Sequence, residues 1–230
     1  MRPSWLAPAV LALLFPVAAA AQEGVEPERR GLSVQGLLGL SDCLGEYCDD
    51  GTYAFEETRV GVGIAGSAWY RPIALVGLGG GLHYNIIGTD DESGVDSSGD
   101  YFNLEVGGRV YPLERGPADL FAGLGLGYTF MGTSWDTDSD VSEGSFTFRG
   151  ITLSMAAGGE YYFAPQMSAG LLFKLYFPFW SSGCLEEDGM FDYDDCDDIE
   201  DFEDVILGFD ADDLPSIWFL GGTFSYHLAT

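Results

Sequence analysis

Hydrophobic and polar residues alternate along most of the chain after residue 31, with a period of two. Residues 119–131 show this most clearly, because their even positions from Leu120 to Phe130 are apolar and their odd positions include Gly123, Gly125 and Gly127. Such a period is typical of a β-strand whose two faces meet different surroundings. The pattern predicts eight strands, near residues 32–41, 57–70, 73–87, 101–111, 119–131, 146–163, 167–179 and 216–228.

The connections between the predicted strands alternate in length. Three are short, at residues 70–72, 112–118 and 164–166, and four are long and acidic, at 42–56, 88–100, 132–145 and 181–215. In an up-and-down sheet the short joins lie at one end and the long joins at the other. Short turns opposite long loops are the pattern of barrels that cross the bacterial outer membrane.

The two strand faces are reversed relative to those of a water-soluble β-sandwich. The aromatic and aliphatic face would point outward, and the glycine-rich polar face would point inward, which suits lipid outside and a narrow lumen inside. A tilted strand of about 9–11 residues is long enough to cross a bilayer. The predicted fold is therefore an all-β, eight-stranded antiparallel up-and-down transmembrane β-barrel with long acidic outer loops.

The N-terminus has the composition of an export signal. Arg2 precedes an apolar stretch from Trp5 to Val17, and alanines follow at 18–21. This predicts a cleavable signal peptide over residues 1–21, a short periplasmic segment over 22–31 and a barrel domain over 32–230. A membrane anchor is the alternative, but the apolar stretch is shorter than the roughly 20 residues of a spanning helix.

Charge and composition exclude two classes of protein. The formal net charge of −28 argues against a nucleic-acid partner, which needs a basic surface. A hydrophobic content of 47% with 14% aromatic residues argues against a disordered acidic chain. Most of the 37 carboxylates fall in or beside the long joins, so the charge is concentrated at one end of the predicted barrel.

Four cysteines lie in two of the long joins. An exported chain forms disulfides readily, and four cysteines allow three connectivities. Because each pair lies in one short polar segment, we favour Cys43–Cys48 and Cys184–Cys196. A zinc site is the alternative, although neither pair has the CxxC spacing and no histidine lies near in sequence.

Seven ionisable side chains fall on the predicted inward face. They are Arg59, His83, Glu105, Arg109, Glu160, Lys174 and His227. Ionisable groups at membrane depth normally face a lumen and pair there, and we expect a buried ion-pair network with Glu105 and Lys174 near mid-depth. The alternative is a gated polar pathway. An eight-stranded interior is only wide enough for side chains to fill, so a wide aqueous pore is not expected.

The densest acidic cluster lies in the last long join. Clustered carboxylates can hold Ca²⁺ or Mg²⁺ weakly, and the candidate ligands are Asp192, Asp194, Asp195, Asp197 and Asp198. A solvated, mutually repelling loop explains the cluster equally well. The run Asp136–Asp140 does not match an EF-hand loop, because Val141 and Thr147 replace the required Gly and Glu. No other cofactor is expected.

With its signal, eight alternating strands and alternating joins, the chain resembles the eight-stranded outer membrane β-barrels of the outer membrane protein A, X and W group. In the last strand, Gly221, Phe224 and Tyr226 are similar to the glycine–aromatic–aromatic signal that the barrel-assembly machinery binds. The chain departs from the family by continuing to Thr230 instead of ending on an aromatic residue. The resemblance implies the outer membrane of a Gram-negative bacterium, with lipid, lipopolysaccharide and the assembly machinery as partners.

The function predicted from the sequence is structural or surface-binding rather than enzymatic. Acidic, disulfide-braced loops would be presented outside the cell to divalent cations, lipopolysaccharide or a surface partner not yet identified, by a monomeric barrel. A narrow, porin-like channel for small solutes is the second hypothesis. A lipid-modifying enzyme is the third, disfavoured because both histidines alternate inward and no Gly-x-Ser-x-Gly motif is present.

Overall fold

The protein is built from antiparallel β-strands. The structure, a computed structural model, describes residues 27, 29–44, 59–88, 95–113, 115–137, 142–189, 193–198 and 216–228. The strands are β1 (Gly31–Leu44), β2 (Arg59–Ile73), β3 (Val76–Gly88), β4 (Val95–Val110), β5 (Ala118–Thr137), β6 (Ser142–Ala164), β7 (Met167–Gly189), β8 (Tyr193–Asp198) and β9 (Ser216–Leu228). Among these residues, no helix is long and apolar enough to cross a membrane.

Eight of the strands close into a ring. Each strand from β1 to β7 pairs with the next. Strand β9 pairs with β7 on one side and with β1 on the other. The β1–β9 register begins with Leu32 opposite Leu228 and ends with Leu44 opposite Ser216. Closure leaves no free sheet edge among the eight strands, which is the condition for a sheet to cross a bilayer. The predicted eight-stranded antiparallel barrel is confirmed.

Alternation along the strands separates lipid-facing from inward-facing side chains. Large apolar residues are exposed on the outside, such as Leu38 at 62% and Val106 at 67% of their surface. Polar residues such as Asn103 and Thr129 are fully buried inside. This reverses the usual burial of apolar and polar groups, because lipid rather than water covers the outer wall.

Two ends of the barrel can be distinguished by their connections. The short-turn end carries the turn at residues 74–75, the join at 111–117 and the turn at 165–166. At the opposite, outer end, exposed aromatic side chains form a belt on the outer wall, and the belt includes Tyr84, Tyr128, Phe130 and Phe179. Aromatic belts of this kind mark the membrane–water interface.

Several strands continue well past this belt. We name residues 131–137 of β5, 142–148 of β6, 181–189 of β7 and strand β8 the outer extension. The β6 and β7 strands are 23 residues each, about twice the 9–11 residues that cross a bilayer. The predicted strand ends were therefore wrong at the outer end, since parts of the joins at 88–100, 132–145 and 181–215 are strand.

The first short turn is also displaced from its predicted position. Residues 71–72 belong to β2, and the turn lies at residues 74–75. The pairing of β2 with β3 shifts register between Tyr70 and Ile73. This irregularity accommodates Pro72, which lacks the N–H needed for a regular ladder, and it leaves Arg71 pointing into the barrel.

Candidate functional site: the filled lumen and the outer extension

A buried ion pair crosses the lumen near its middle. Lys174 on β7 donates from Nζ to Oε1 of Glu105 on β4, and Ser154 Oγ donates to Oε2 of the same carboxylate at 2.9 Å. Lys174 Nζ also lies 4.7 Å from the centre of the Tyr176 ring. Both charged groups are nearly inaccessible, so the attraction between them offsets part of their desolvation cost only while both are present.

A second polar cluster surrounds Glu160, closer to the short-turn end. Ser168 Oγ donates to Oε2 at 2.9 Å, Ser225 Oγ donates to Oε1 at 2.8 Å, and Gln35 Nε2 also donates to Oε1. Three hydrogen-bond donors thus hold one buried carboxylate. Charge-assisted bonds of this kind are among the stronger ones in proteins, and they link the four neighbouring strands β6, β7, β9 and β1.

His227 joins the Glu160 cluster without forming a catalytic triad. Its Nε2 lies 2.9 Å from Ser168 Oγ and 4.0 Å from the Glu160 carboxylate. In a triad the carboxylate orients the histidine from the nitrogen that does not face the serine, whereas Glu160 here bonds the serine itself. Ser168 is fully buried. The arrangement is therefore that of a packed hydrogen-bond cluster.

Arg109 is held mainly by aromatic rings and an amide. Its guanidinium lies 3.8 Å from the centre of the Trp69 ring and 4.4 Å from that of Phe121, and Nη2 donates to Gln35 Oε1 at 3.2 Å. Gln35 therefore connects Arg109 to Glu160. Stacking on aromatic faces lets a buried guanidinium retain favourable electrostatic contacts without an ion pair.

A third charged cluster closes the short-turn end. Asp119 at the start of β5 accepts a hydrogen bond from Arg71 Nη1 at 2.7 Å and pairs with Arg29 Nη1 at 3.0 Å. The hydroxyl of Tyr162 donates to the same carboxylate at 3.3 Å. Arg29 also donates to the backbone carbonyls of the join at 111–117 and of Ala118. The segment before β1 therefore covers this end of the lumen.

The predicted site residues did not include Arg29, Arg71, Gln35 or Asp119. The alternation did contain one signal, because Asp119 is in phase with the inward-facing Phe121. Arg71 was predicted to lie in a turn, and Arg29 precedes the first predicted strand. Gly31, with a φ of 98°, lets the chain change direction between Arg29 and β1, since this region is accessible mainly to glycine.

Aromatic rings fill the lumen on the outer side of the Glu105–Lys174 pair. His83 shares a hydrogen bond with the Tyr176 hydroxyl through Nδ1, and Phe219 packs edge-on against the imidazole at 4.4 Å. The rings of Tyr101 and Tyr176 lie 5.5 Å apart. His83 is thus bonded to a tyrosine rather than to the charged residues with which it was grouped from the sequence.

The interior leaves little free space between these layers. A cavity of about 20 Å³ lies among His83, Glu105, Arg109, Lys174 and Phe219. A cavity needs roughly 10–15 Å³ of such volume to hold one water molecule, so this one holds about one. Within the described residues, the lumen is filled by side chains at its middle and closed by the Asp119 cluster at the short-turn end.

Some predicted residues lie outside the described part of the chain. These include residues 1–21 of the predicted signal peptide, Cys48, Asp192 and the side chains of Arg59, Asp194, Asp195, Asp197 and Asp198. Cys43 is disulfide-bonded, and its predicted bond with Cys48 stays a prediction. No group of three or more His, Cys, Asp or Glu residues in the described part is arranged to hold a metal ion.

A disulfide braces the outer extension. Cys184 on β7 and Cys196 on β8 are directly opposite in the register and are bonded, which confirms the predicted pair.

Strand β7 contains an extra residue where the outer extension begins. A shift in the β6–β7 register beside Arg149 leaves Ser181 without an opposite residue, and its Oγ donates to the Arg149 carbonyl at 3.2 Å. Extra residues of this kind bend a strand and increase its twist.

Residues of the predicted assembly signal lie on the closing strand β9. Phe224 and Tyr226 are exposed on the outer wall, and Gly221 is buried on the inner face. Gly221 pairs with Gly39 of β1. The three positions thus lie within the strand that completes the ring.

Comparison with known proteins places this geometry among membrane barrels. A family model described as the outer membrane protein beta-barrel domain matches residues 7–178. The fold is similar to that of a major outer membrane protein from Thermus thermophilus, with a TM-score of 0.56 and 13% identity over 86% of this chain and 100% of the other. No curated protein matches the sequence.

Two further solved structures share the fold at low sequence identity. Neisserial surface protein A has a TM-score of 0.52 and 12% identity over 86% of this chain and 97% of that one. Ail, the attachment invasion locus protein of Yersinia pestis, solved in complex with the heparin analogue sucrose octasulfate, has a TM-score of 0.51 and 14% identity over 86% and 99%.

Proposed function

The chain belongs to the outer membrane β-barrel domain family, and we propose that it is a cell-surface binding protein with a closed lumen. In this function the outer extension binds neighbouring lipopolysaccharide through bridging divalent cations. The observation that carries the proposal is the combination of a filled lumen with strands that continue far past the outer aromatic belt.

The length and bracing of the outer extension support a binding role. Residues 142–148 of β6 pair with residues 183–189 of β7, and β8 adds a further strand fastened by Cys184–Cys196. A paired, covalently fastened sheet loses less conformational entropy on binding than a free loop does. Strands of this length are unnecessary for crossing the membrane alone.

The charge of the antiparallel pair β7–β8, named here the β7–β8 hairpin, indicates the chemistry of its partner. The hairpin carries Glu186, Glu187 and Asp188 on β7 and four further aspartates on β8. Lipopolysaccharide is itself anionic, so direct contact between the two would be repulsive. Divalent cations are attracted to such a concentration of carboxylates and would bridge the protein to the phosphates. The candidate ligands Asp192, Asp194, Asp195, Asp197 and Asp198 belong to this proposal.

Arg149 provides a second, cationic contact at the level of the lipid headgroups. It is exposed on the outer wall, beside the aromatic belt, with its guanidinium 5.9 Å from the centre of the Phe130 ring. An exposed arginine at this depth suits a phosphate in the outer leaflet.

The test is binding of the full-length protein in nanodiscs to lipopolysaccharide vesicles, with and without Mg²⁺. We expect association that depends on Mg²⁺ and weakens about tenfold when Glu186, Glu187 and Asp188 are replaced by amides. A control variant carries Asp96→Asn and Asp100→Asn on β4. Binding that is independent of Mg²⁺, or equal for both variants, would contradict the proposal.

A narrow channel is the second candidate function. It is favoured by the polar inner face and by a single ion pair, Glu105–Lys174, at the middle of the described lumen. Planar-bilayer recordings distinguish the two functions. We expect no stepwise conductance from the wild type, and small steps from the Glu105→Ala, Lys174→Ala double variant; steps in the wild type would favour the channel.

A lipid-modifying enzyme is the third and weakest candidate. The hydrogen bond between Ser168 and His227 lies inside the barrel, where a lipid ester cannot reach it. Incubation with labelled lipopolysaccharide and phospholipid, followed by thin-layer chromatography, is expected to give no product.

A further inference from the structure

A groove of ligand size lies on the outer, lipid-facing wall of the barrel. Its volume is about 670 Å³, and it crosses strands β4 to β7 in the half nearer the short-turn end. Ligand pockets are typically about 300–1,000 Å³. The groove is independent of the outer extension, which lies at the other end.

The groove exists because small outward-facing residues adjoin larger ones. Gly108, Ala122 and Ala157 form its floor, and Leu124 and Phe173 are among the side chains that form its walls. A Cβ placed on Gly108 would approach no atom closer than 3.7 Å, so the floor at this position is open. The register of the strands, rather than any one segment, brings the small residues together.

The groove runs obliquely from the rim of the barrel toward its middle. In the register, Val110 is opposite Ala122, Ala122 is opposite Ala157, and Ala157 is opposite Phe173. Val110 is the last residue of β4, whereas Phe173 lies well inside β7. Crossing four strands spans about 14 Å at the usual spacing, which is shorter than the hydrocarbon core of about 30 Å.

An exposed cation lies at the same end of the barrel as the rim of the groove. Arg115 is exposed in the join at 111–117, which connects Val110, the last residue of β4, to Ala118, the first residue of β5. Asp119, the described carboxylate of this region, is buried and paired with Arg29 and Arg71, so it does not neutralise Arg115. An apolar groove at leaflet depth with an exposed guanidinium at headgroup level matches a lipid with an anionic head.

We propose that this groove is a binding site for one anionic phospholipid of the inner leaflet, with an acyl chain in the groove and the phosphate at Arg115. A second copy of the chain is disfavoured as the occupant, because a barrel wall is convex and the groove is concave and only four strands wide. The site goes beyond the surface-binding function and does not depend on it.

Native mass spectrometry of the full-length protein tests the proposal. The protein is equilibrated in detergent micelles with equal amounts of phosphatidylglycerol and phosphatidylcholine. We expect one tightly retained lipid per barrel, with phosphatidylglycerol favoured about fivefold or more. Gly108→Leu combined with Ala122→Leu should fill the groove and reduce retention about tenfold, and Arg115→Gln should abolish the headgroup preference while retention of some lipid continues.

Gly66→Leu is the matched control. Gly66 is exposed on the outer wall at β2, away from the groove, and a Cβ added there meets no atom within 4 Å. It should retain lipid as the wild type does. Heat-dependent mobility on SDS-PAGE verifies that each variant is folded. Equal retention by the groove and control variants, or equal occupancy by the two lipids in the wild type, would overturn the proposal.

Discussion

Arg71 and Asp119, which are 48 positions apart in the sequence, meet at 2.7 Å between Nη1 and Oδ2 inside the short-turn end of the barrel. Because Arg29 pairs with the same carboxylate at 3.0 Å, Asp119 joins three separate parts of the chain. They are the segment before β1, the end of β2 and the start of β5. One buried carboxylate therefore fixes how this end of the lumen is closed.

Asp119→Asn should destabilise the barrel by about 3–5 kcal/mol, because it leaves two buried guanidinium groups without their anion. Urea unfolding in lipid vesicles measures the loss. Trypsin should also cut after Arg29 and Arg30 sooner than in the wild type, since the segment before β1 is released. Asp100→Asn is the control, because Asp100 is exposed and should change stability by about 0.5 kcal/mol or less. Similar effects of the two substitutions would contradict the importance given to Asp119.

Lys174→Met should cost about 3–5 kcal/mol, because the Glu105 charge then stays buried without its partner. Adding Glu105→Gln should recover most of this loss, since neither charge remains to be desolvated. A double-mutant cycle on unfolding free energies gives the coupling directly. Additive losses from the two substitutions would show that the residues do not act as a buried pair.

Gly125→Ala should destabilise the barrel by about 1–3 kcal/mol, because the lumen has no room for one more methyl group there. An added Cβ would lie 2.5 Å from Ser154 Oγ and 3.3 Å from Glu105 Oε2. Gly66→Ala makes the same chemical change on the outer wall, where nothing lies within 4 Å. It should be neutral or stabilising, and thermal unfolding of both variants in detergent is the measurement. A stable Gly125→Ala barrel would mean that the lumen is looser than described.

Replacing Cys184 and Cys196 together by serine should loosen the outer extension without unfolding the barrel. A disulfide closing a loop of roughly this length stabilises by about 3 kcal/mol, but the loop lies beyond the membrane-crossing part of β7. We expect an unchanged heat shift on SDS-PAGE and faster proteolysis near residues 184–198. Loss of the heat shift would show that the hairpin is needed for the barrel itself.

Alternation predicted the barrel well because lipid and lumen impose opposite requirements on successive residues. Glu105 and Lys174 were assigned to the inner face in this way, and both are buried there. The period indicates only which face a residue occupies. The period does not indicate which side chains from different strands lie at the same depth in the lumen. It therefore grouped His83 with the charged residues, although His83 bonds to Tyr176.

Most of the outer extension was missed for a physical reason. Beyond the aromatic belt both faces of a strand leave the hydrocarbon, so nothing enforces alternation, and residues 132–137 and 142–145 look like a polar loop in sequence. Arg71 was missed because Pro72 suggested a turn there, whereas the turn lies at residues 74–75. The groove could not be predicted from the sequence, since it depends on Gly108, Ala122 and Ala157 meeting across three strands.

The pairing of β1 with β9 has a kinetic consequence. These strands lie at opposite ends of the described chain, and their register joins residues almost 200 positions apart, such as Leu32 with Leu228. Contacts of such high sequence separation form slowly, because a long loop must close before they form. The last of the described strands to be synthesised is thus also the one that completes the ring. Until it arrives, the exposed edges of β1 and β7 are vulnerable to aggregation, and a chaperone that shields them would determine the yield of folded protein.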